Sequence, residues 1–396
     1  QLQSAKISAS GEGDAGTIRP QPPPALALVL TGHAWAALIG PCRASLSGPL
    51  PLFQHHPPLR PSPARRSIRP FAAPLRMQGG GVSPSLKGLF VGSGSDGLND
   101  PFISAAVISL SGKPHPSVLY LGTATYDLPG PQDRQTSRFK AAGCPVASLP
   151  LVDASPSRRD IDAALAAADI IIVSGGNTLF AVDRWARLGV DAALRAAMER
   201  GAVLTGGSAG AICWFDGGHS DSADPDSFKG AMVGSQDAGG DESSALQGEA
   251  KRWSYIRIPG LGFLPGLCCP HHDRVQSNGV LRAQDFDTMM EKHGGERGIA
   301  IDHWAALEVC EGEYRVLSVP GKEGSVLPDG SYSSDTKGVA GVWVKDLVSG
   351  AVVTKLCPPS GAAADLFRPA SEIRSDPRVE GARAANPDNG PAPEAS

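Results

Sequence analysis

The chain has 396 residues, of which 41% are hydrophobic and 19% charged, and its formal net charge is −4. This apolar content can form a sizeable core, and the near-neutral charge argues against a nucleic-acid or anionic-membrane partner, which would normally require a basic excess. No uninterrupted apolar run reaches the roughly 18 residues that a membrane-spanning helix needs, so we expect none. The seven cysteines have no regular spacing, which favours a reducing compartment over a disulfide framework.

Residues 1–76 are predicted to lie outside the fold. They hold 13 of the 35 prolines and eight Lys or Arg residues, but only Glu12 and Asp14 as acids. This composition is typical of a transit peptide, which would place the protein in a chloroplast or another organelle. Alternatively, the segment is translated upstream sequence and Met77, the first methionine, is the true start, which suits a cytoplasmic protein. In either case we expect residues 1–84 to form a disordered extension.

The other end of the chain lacks periodic apolar positions. From Pro358 onward the sequence is rich in Pro, Ala, Asp and Glu, so residues 358–396 are predicted to be a disordered tail. The segment between the two ends, residues 85–357, has the size of one folded domain.

Within this domain, short apolar runs alternate with helical segments. The predicted strands cover residues 89–91, 117–121, 146–151, 170–173 and 202–205, and the predicted helices cover 160–168 and 178–198. Unbroken β-branched runs of this kind suit strands that are buried on both faces of a parallel sheet. Shorter strands are predicted at 298–301, 306–309, 314–319 and 339–344. We expect these later strands to close one edge of the sheet in antiparallel orientation.

The pattern as a whole predicts an α/β fold with a doubly wound, mostly parallel sheet flanked by helices. In such a sheet the chemistry lies at the carboxyl ends of the strands. Two glycine-rich turns follow predicted strands at such ends, and both are candidate sites.

The turn at residues 206–210 reads Gly-Gly-Ser-Ala-Gly and satisfies G-x-S-x-G between a strand and a helix-like segment at 211–215. A serine on a sharp strand-to-helix turn needs very small neighbours because its backbone is strained and crowded. Backbone N–H groups at the start of the following helix can stabilise an oxyanion. We therefore predict Ser208 as a nucleophile, and the alternative is a purely structural glycine-rich turn.

The turn at residues 174–178 reads Ser-Gly-Gly-Asn-Thr and follows the preceding strand. Adjacent glycines let the backbone approach a ligand and expose its N–H groups, so this turn could supply a second oxyanion donor. Taken alone, it is better explained as a simple β-to-α turn in which Asn177 caps the next helix.

A serine hydroxyl needs a base to activate it, and histidine titrates in the useful range. The best-placed candidate is His271, in the sequence Pro-His-His-Asp at 270–273, and the less well placed competitors are His293 and His303. The same cluster could bind a metal, but other ligands at metal spacing are not evident.

Two acids compete to orient this base. Asp273 lies two residues after His271, so in an extended segment both side chains share one face, which is poorly suited to supporting the far ring nitrogen. Asp221 belongs to a separate loop and can approach the imidazole from behind, as an orienting acid must. We therefore predict a hydrogen bond between the Asp221 carboxylate and His271.

The order and spacing of three motifs resemble those of the peptidase E and cyanophycinase family of serine peptidases. The motifs are Gly-Gly-Asn-Thr at 175–178, Gly-Ser-Ala-Gly-Ala at 207–211 and Pro-His at 270–271, within a resemblance that covers roughly residues 86–320. This resemblance implies a class I glutamine amidotransferase-like fold with serine in place of the nucleophilic cysteine. It also implies a serine peptidase that hydrolyses small peptides, such as a dipeptidase or a cyanophycinase-like enzyme, with no cofactor and no metal.

The resemblance further implies roles for individual residues. Ser208 would be the nucleophile, His271 the general base and Asp221 the acidic third member of the triad. The backbones of Gly176 and Ala209 would form the oxyanion hole.

Two departures from the family pattern concern the substrate pocket. Residues 214–219 look more like the less characterised bacterial branch than like peptidase E itself, and the stretch 224–248 looks expanded. Specificity for aspartyl dipeptides therefore does not follow from the resemblance. Arg252, Arg257 and Arg274 are candidates for holding a substrate carboxylate. A homodimer is compatible with the sequence, which does not specify an oligomeric state.

Two other functions compete with this interpretation. Residues 92–97 read G-x-G-x-x-G after the first strand, as in a dinucleotide-binding oxidoreductase. That fingerprint also requires an acid about 20 positions further on, at the end of the second strand, and the nearest acid, Asp127, comes late. The other alternative is a catalytically inactive relative that binds peptides, against which the complete set of Ser, His and Asp candidates argues.

Overall fold

The computed structural model describes residues 81–237 and 251–390, all of which fall within one unit, Ser67–Ser396. The predictions for residues 1–76 and the choice of Met77 as the start therefore concern residues outside those described. Residues 238–248 of the stretch 224–248, which looks expanded in the sequence, also lie outside the described residues. No helix in the described ranges is both long enough and apolar enough to cross a membrane.

Strands and helices alternate in the first half of the domain, and strands dominate the second half. The strands are β1 Lys87–Val91, β2 Val118–Leu121, β3 Val146–Ser148, β4 Ile170–Val173, β5 Val203–Gly207, β6 Phe215–Ser220, β7 Ile256–Pro259, β8 Leu264–Cys269, β9 Gly298–Ile301, β10 Ala305–Cys310, β11 Glu313–Ser318, β12 Glu323–Gly324, β13 Gly338–Val339, β14 Val342–Val348, β15 Ala351–Leu356 and β16 Ser360–Ala362. The helices are α1 Ser95–Leu98, α2 Pro101–Leu110, α3 Pro129–Ala141, α4 Arg158–Ala167, α5 Thr178–Leu188, α6 Val190–Glu199, α7 Ala209–Ile212, α8 Lys229–Asp237, α9 Arg282–Lys292, α10 Ala363–Leu366 and α11 Arg378–Ala385.

The strands form two principal sheets. The larger has the order β16-β11-β10-β1-β5-β4-β2-β3, in which β1, β5, β4, β2 and β3 run parallel and the other three extend the sheet in antiparallel orientation. The second has the order β15-β14-β9-β8-β6-β7, with β6, β8 and β9 parallel. This architecture confirms the predicted α/β class, a sheet with a parallel core flanked by helices.

The parallel strands are buried on both faces, as their uninterrupted apolar sequences predict. Successive side chains point to opposite faces. Phe90 and Ile171 belong to the apolar cluster that also contains residues of α4, α5 and α6, and Leu89 and Ile172 belong to the cluster that contains residues of α2 and α3. Helices on both faces are therefore required to keep these strands out of water.

Several elements differ from their predictions. The predicted helix 178–198 is two helices, α5 and α6, because Gly189 adopts a φ of 73° between them. The helix after Ser208 ends at Ile212, and Phe215 begins β6. The residues from Phe215 onward instead form hydrogen-bonded strand pairs with β7 and β8. β9 runs parallel to β8 inside the second sheet rather than antiparallel at an edge.

The predicted disorder from Pro358 onward is wrong for residues 360–389. β16 pairs with β11, and residues of α10 and α11 join the main apolar cluster. Asp376 accepts a hydrogen bond from the backbone N–H of Arg257 at 3.0 Å. The buried residues Leu366, Phe367 and Val379 are too irregularly spaced to produce a periodic pattern, so composition alone suggests disorder.

Candidate active site

Ser208 lies on the sharp turn between β5 and α7, at the carboxyl end of the parallel strands. Its backbone has φ 55° and ψ −120°, a strained conformation that non-glycine residues adopt mainly at functional turns. The side chain is half-buried, and no hydrogen bond engages its hydroxyl within the described residues. The predicted strand-to-helix turn is therefore present, with its serine hydroxyl available for chemistry.

The glycines around Ser208 are required by close backbone packing. A Cβ atom on Gly207 would lie 1.9 Å from the carbonyl oxygen of Ser93, and one on Gly210 would lie 2.2 Å from that of Val173. Neither approach is compatible with a side chain, so the turn can be built only with glycine at these positions.

The second glycine turn lies directly beside the first. A Cβ on Gly175 would be 3.5 Å from the Cβ of Ser208. Asn177 caps α5, since its Oδ1 accepts a hydrogen bond from the Phe180 N–H at 2.9 Å, and Gly176 has a φ of 109°. In the described part of the chain, the N–H groups of Gly176 and Ala209 donate no backbone hydrogen bond. The second turn thus supplies the helix cap, and each of the two turns presents one backbone N–H without a backbone partner within the described ranges, Gly176 in the second and Ala209 in the first.

The end of β1 holds the backbones of both His271 and Ser208. The Ser208 N–H donates to the Val91 carbonyl at 3.2 Å, and the His271 N–H donates to the Gly92 carbonyl at 3.0 Å. His271 also has a positive φ of 49°. The structure therefore brings the predicted nucleophile and base to the same strand end.

The imidazole of His271 is buried, and its Nδ1 lies 2.9 Å from the Nδ1 of His303. Burial lowers the pKa of His271 well below its ordinary value, and the nearby His303, Arg282 and Arg274 lower it further. A histidine with a lowered pKa is neutral at physiological pH, which is the form that can accept a proton from a serine.

His303 in turn contacts two acids. Its Nε2 lies 3.0 Å from Asp96 Oδ2, and its backbone N–H donates to Asp273 Oδ1 at 2.7 Å. The sequence ranks His303 below His271 and assigns no role to Asp96. The one feature of the sequence that points to His303 is its position just after the predicted strand 298–301. Functional residues are expected at the end of a parallel strand, and only the structure shows that this strand, β9, is parallel to its neighbour β8.

The other side chains of the 270–273 cluster point to separate partners. His272 Nδ1 lies 3.3 Å from Asp302 Oδ1, and Asp273 binds the backbone of His303. Burial and the neighbouring Asp302 carboxylate raise the pKa of Asp273. Across residues 81–237 and 251–390, no group of three or more His, Cys, Asp or Glu side chains is placed to hold a metal ion.

Asp221 is not hydrogen-bonded to His271, so the predicted contact is wrong. Its Oδ2 lies 3.3 Å from Nη1 of Arg282, a buried side chain whose Nη2 donates to the His219 carbonyl at 2.6 Å. A buried guanidinium requires a nearby negative charge, and Asp221 is the acid that supplies it here. The loop that carries Asp221 therefore approaches Arg282 instead of the imidazole.

The glycine-rich segment 92–97 lines the nucleophile turn. The helix that follows it, α1, has only four residues, whereas a dinucleotide site needs the N-terminus of a full crossover helix. A Cβ on Gly92 would lie 1.9 Å from the Asp302 carbonyl, and Asp96 of α1 contacts His303. These glycines thus serve close packing beside Ser208, which argues against the oxidoreductase alternative.

The family model for peptidase family S51 matches residues 89–317. The uncharacterized peptidase YgaJ of Bacillus subtilis (strain 168) is 30% identical over 167 residues, which are 42% of this chain and 59% of that protein. A Trypanosoma brucei brucei protein named G2/mitotic-specific cyclin-1 is 30% identical over 327 residues, which are 76% of this chain and 94% of that protein. The cyclin name of that protein differs from the peptidase family match, and no function is transferred from it to this chain.

Two solved structures also match. A putative peptidase E protein from Listeria monocytogenes EGD-e has 16% identity and a TM-score of 0.40, covering 59% of this chain and 98% of that one. A peptidase from an acI-B1 Actinobacterium has 14% identity and a TM-score of 0.43, and the match covers 70% of this chain and 96% of that one. Similarities this low add no argument about the site.

Proposed function

Because this chain belongs to peptidase family S51 and is a serine-type peptidase, we propose that it hydrolyses small peptides with Ser208 as the nucleophile and His271 as the general base. The observation that carries this proposal is the strained turn at Ser208, with a φ of 55°. Backbone strain is kept where the surrounding structure enforces it, and such positions cluster at active sites.

The proposed reaction is an acyl transfer in two halves. Ser208 Oγ attacks the carbonyl carbon of the scissile bond while its proton moves to His271 Nε2. The carbonyl oxygen becomes an oxyanion that accepts hydrogen bonds from the N–H groups of Gly176 and Ala209. When the intermediate collapses, His271 gives the proton to the leaving amine, and water then hydrolyses the acyl-enzyme with the same base.

We further propose that the substrate carries a side-chain carboxylate, held by Arg274. Of the three candidate arginines, Arg257 is unsuitable because it is buried and paired with Glu296 at 2.7 Å. Arg252 is exposed, and no contact ties it to His271 or Asp96. Arg274 is half-buried, its backbone N–H donates to the His271 carbonyl at 2.9 Å, and its Nε, which has no hydrogen-bond partner among the described residues, lies 3.8 Å from Asp273 Oδ2. A guanidinium in this position can bind a carboxylate through paired hydrogen bonds.

The decisive experiment is a dipeptide panel assayed with the wild type, Ser208→Ala and Ser93→Ala. The panel pairs each Asp-containing dipeptide with its Asn analogue, so that only the charge differs. Ser208→Ala should lose on the order of 10⁴-fold or more in kcat, as nucleophile removal does in other triads. Ser93→Ala is the matched control because it removes a nearby buried hydroxyl that has no partner within the described residues.

Hydrolysis by Ser208→Ala at the wild-type rate would refute the mechanism. Equal kcat/KM for the Asp and Asn members of each pair would refute only the role proposed for the substrate carboxylate.

A further inference from the structure

The group behind His271 is a second histidine followed by a carboxylate. His271 Nδ1 lies 2.9 Å from His303 Nδ1, and His303 Nε2 lies 3.0 Å from Asp96 Oδ2. The three side chains come from the loop after β8, the turn between β9 and β10, and α1. Both imidazoles are buried, and Asp96 is half-buried.

The hydrogen-bonding capacities of these groups determine where the protons lie. The hydrogen bond from His303 lowers the pKa of Asp96, so its carboxylate is ionised at neutral pH and can only accept. His303 therefore carries a proton on Nε2, and when its ring holds only this proton, Nδ1 is an acceptor. His271 then donates through Nδ1–H, and its Nε2 is left with a free lone pair, which is the form that a general base requires.

The other acids near His271 are committed elsewhere. Asp221 pairs with Arg282, and Asp302 Oδ2 accepts hydrogen bonds from Ser325. Asp273 Oδ1 accepts from the backbone N–H of His303, and its Oδ2 lies 3.8 Å from Arg274 Nε, so neither oxygen is hydrogen-bonded to the ring of His271. No carboxylate among the described residues is hydrogen-bonded to the His271 ring, so His303 is its ring partner.

We propose that His303 is the positioning residue for His271 and that Asp96, by accepting from His303, sets the tautomer of both rings. This inference rests on the proposed function of Ser208 and His271 and goes beyond it, because it replaces the expected acidic third member with a histidine–aspartate pair. When His271 takes the proton of Ser208, its positive charge is shared across the Nδ1–Nδ1 hydrogen bond and compensated by Asp96. The proton then passes from His271 to the leaving amine, so each half-reaction restores the starting tautomers.

Other charges also face this relay. The positive charges of Arg274 and Arg282 lower the pKa of His271, and those of Lys322 and Arg274 lower the pKa of Asp96. These cations oppose a positive charge on the imidazoles. The Asp96 carboxylate is therefore needed to make proton transfer from Ser208 favourable.

The test combines three variants with kinetics. His303→Ala should lower kcat by about 10²–10⁴-fold, the range expected when a triad histidine loses its orienting group. His303→Glu places a carboxylate against His271 Nδ1–H and should retain activity within about tenfold of the wild type, since an acid in this position serves other triads.

Asp96→Asn gives the sharpest readout because its effect should depend on the residue at 303. In the wild-type background it should lower kcat on the order of 10²-fold, since the charge that stabilises the imidazolium is lost. In the His303→Glu background it should cause no loss, since the introduced carboxylate now supplies that charge and repulsion between two acids is relieved. A merely structural role for Asp96 predicts the same loss in both backgrounds, which would overturn the proposal.

The tautomers can be read without any substrate. Nitrogen-15 NMR of histidine-labelled enzyme should show His271 protonated on Nδ1 and His303 on Nε2 near neutral pH, with both assignments disturbed in Asp96→Asn. A proton on His271 Nε2 in the wild type would overturn the inference. Full activity of both His303→Ala and Asp96→Asn, with Ser208→Ala inactive, would overturn it while leaving the proposed function intact.

Discussion

The backbone N–H groups of Ser208 and His271 donate to the carbonyls of two consecutive residues, Val91 and Gly92, at the end of β1. One strand end therefore positions the proposed nucleophile and base relative to each other. This arrangement does not depend on side-chain rotamers, because β1 lies inside the larger sheet between β10 and β5. Changes that shift the backbone at this point should reduce activity even when they leave the fold intact.

We expect Gly207→Ala to impair activity by displacing the nucleophile turn. The added methyl group would meet the Ser93 carbonyl oxygen at 1.9 Å, and a displacement near 1 Å can cost about 10²-fold in rate. Overpacking should also lower the free energy of unfolding by about 1–3 kcal/mol. Steady-state kinetics and urea unfolding measure the two effects.

The control for this substitution is Gly381→Ala in α11, where no atom lies within 4 Å of the new methyl group. It should leave activity unchanged and stabilise the helix by up to about 1 kcal/mol. Wild-type kinetics for Gly207→Ala would show that the turn tolerates displacement.

The lowered pKa of His271 predicts an unusual acid limb in the pH profile of kcat/KM. The base must be neutral to act, and a lower pKa keeps it neutral at lower pH. Activity should therefore persist as pH falls through about 6.5, the ordinary histidine value, and decline only below it. An acid limb centred at or above that value would contradict the burial argument.

Arg274→Gln tests the electrostatic part of the same argument. Removing a positive charge beside His271 should raise its pKa and move the acid limb to higher pH. The position of the limb is the measurement, because the plateau also reports any role of Arg274 in substrate binding. A shift to lower pH would show that another charge controls the base.

Asp221→Asn should affect stability more than catalysis. Because Asp221 pairs with Arg282 rather than His271, kcat should change less than about tenfold, compared with about 10⁴-fold when a triad carboxylate is neutralised. The free energy of unfolding should fall by about 1–3 kcal/mol, since a buried guanidinium loses its counter-charge. Asp133→Asn, in the exposed pair with Lys140, is the control and should change neither. A catalytic loss without a stability loss would restore Asp221 as the orienting acid.

Phe367→Ala tests whether the C-terminal segment belongs to the folded core. Phe367 is buried, and its ring centroid lies 6.2 Å from that of Phe215 in β6. Truncating a buried phenylalanine typically costs about 3–5 kcal/mol, whereas Ile373→Ala at an exposed position should change stability by less than about 0.5 kcal/mol. Equal effects in denaturant unfolding would indicate that the segment does not pack on the domain.

The sequence alone determined the features that depend on neighbouring residues. The β-branched run 170–173 predicts a buried strand, and β4 occupies the same residues. The glycines around Ser208 predict a sharp strand-to-helix turn, and the positive φ of Ser208 is found there. Both signals are local, because burial on two faces and backbone crowding each require particular residue types at consecutive positions.

Only the tertiary structure decided which side chains meet behind His271. Asp96, His303 and Asp221 are far apart in sequence, and an acid in a polar loop looks the same whether it faces an imidazole or a guanidinium. These contacts follow from the sheet topology. β9 runs parallel to β8 and ends beside it, which brings His303 to His271. Arg282, at the start of α9, pairs with Asp221. Long-range strand order is set by the packing of whole sheet faces, which no local pattern specifies.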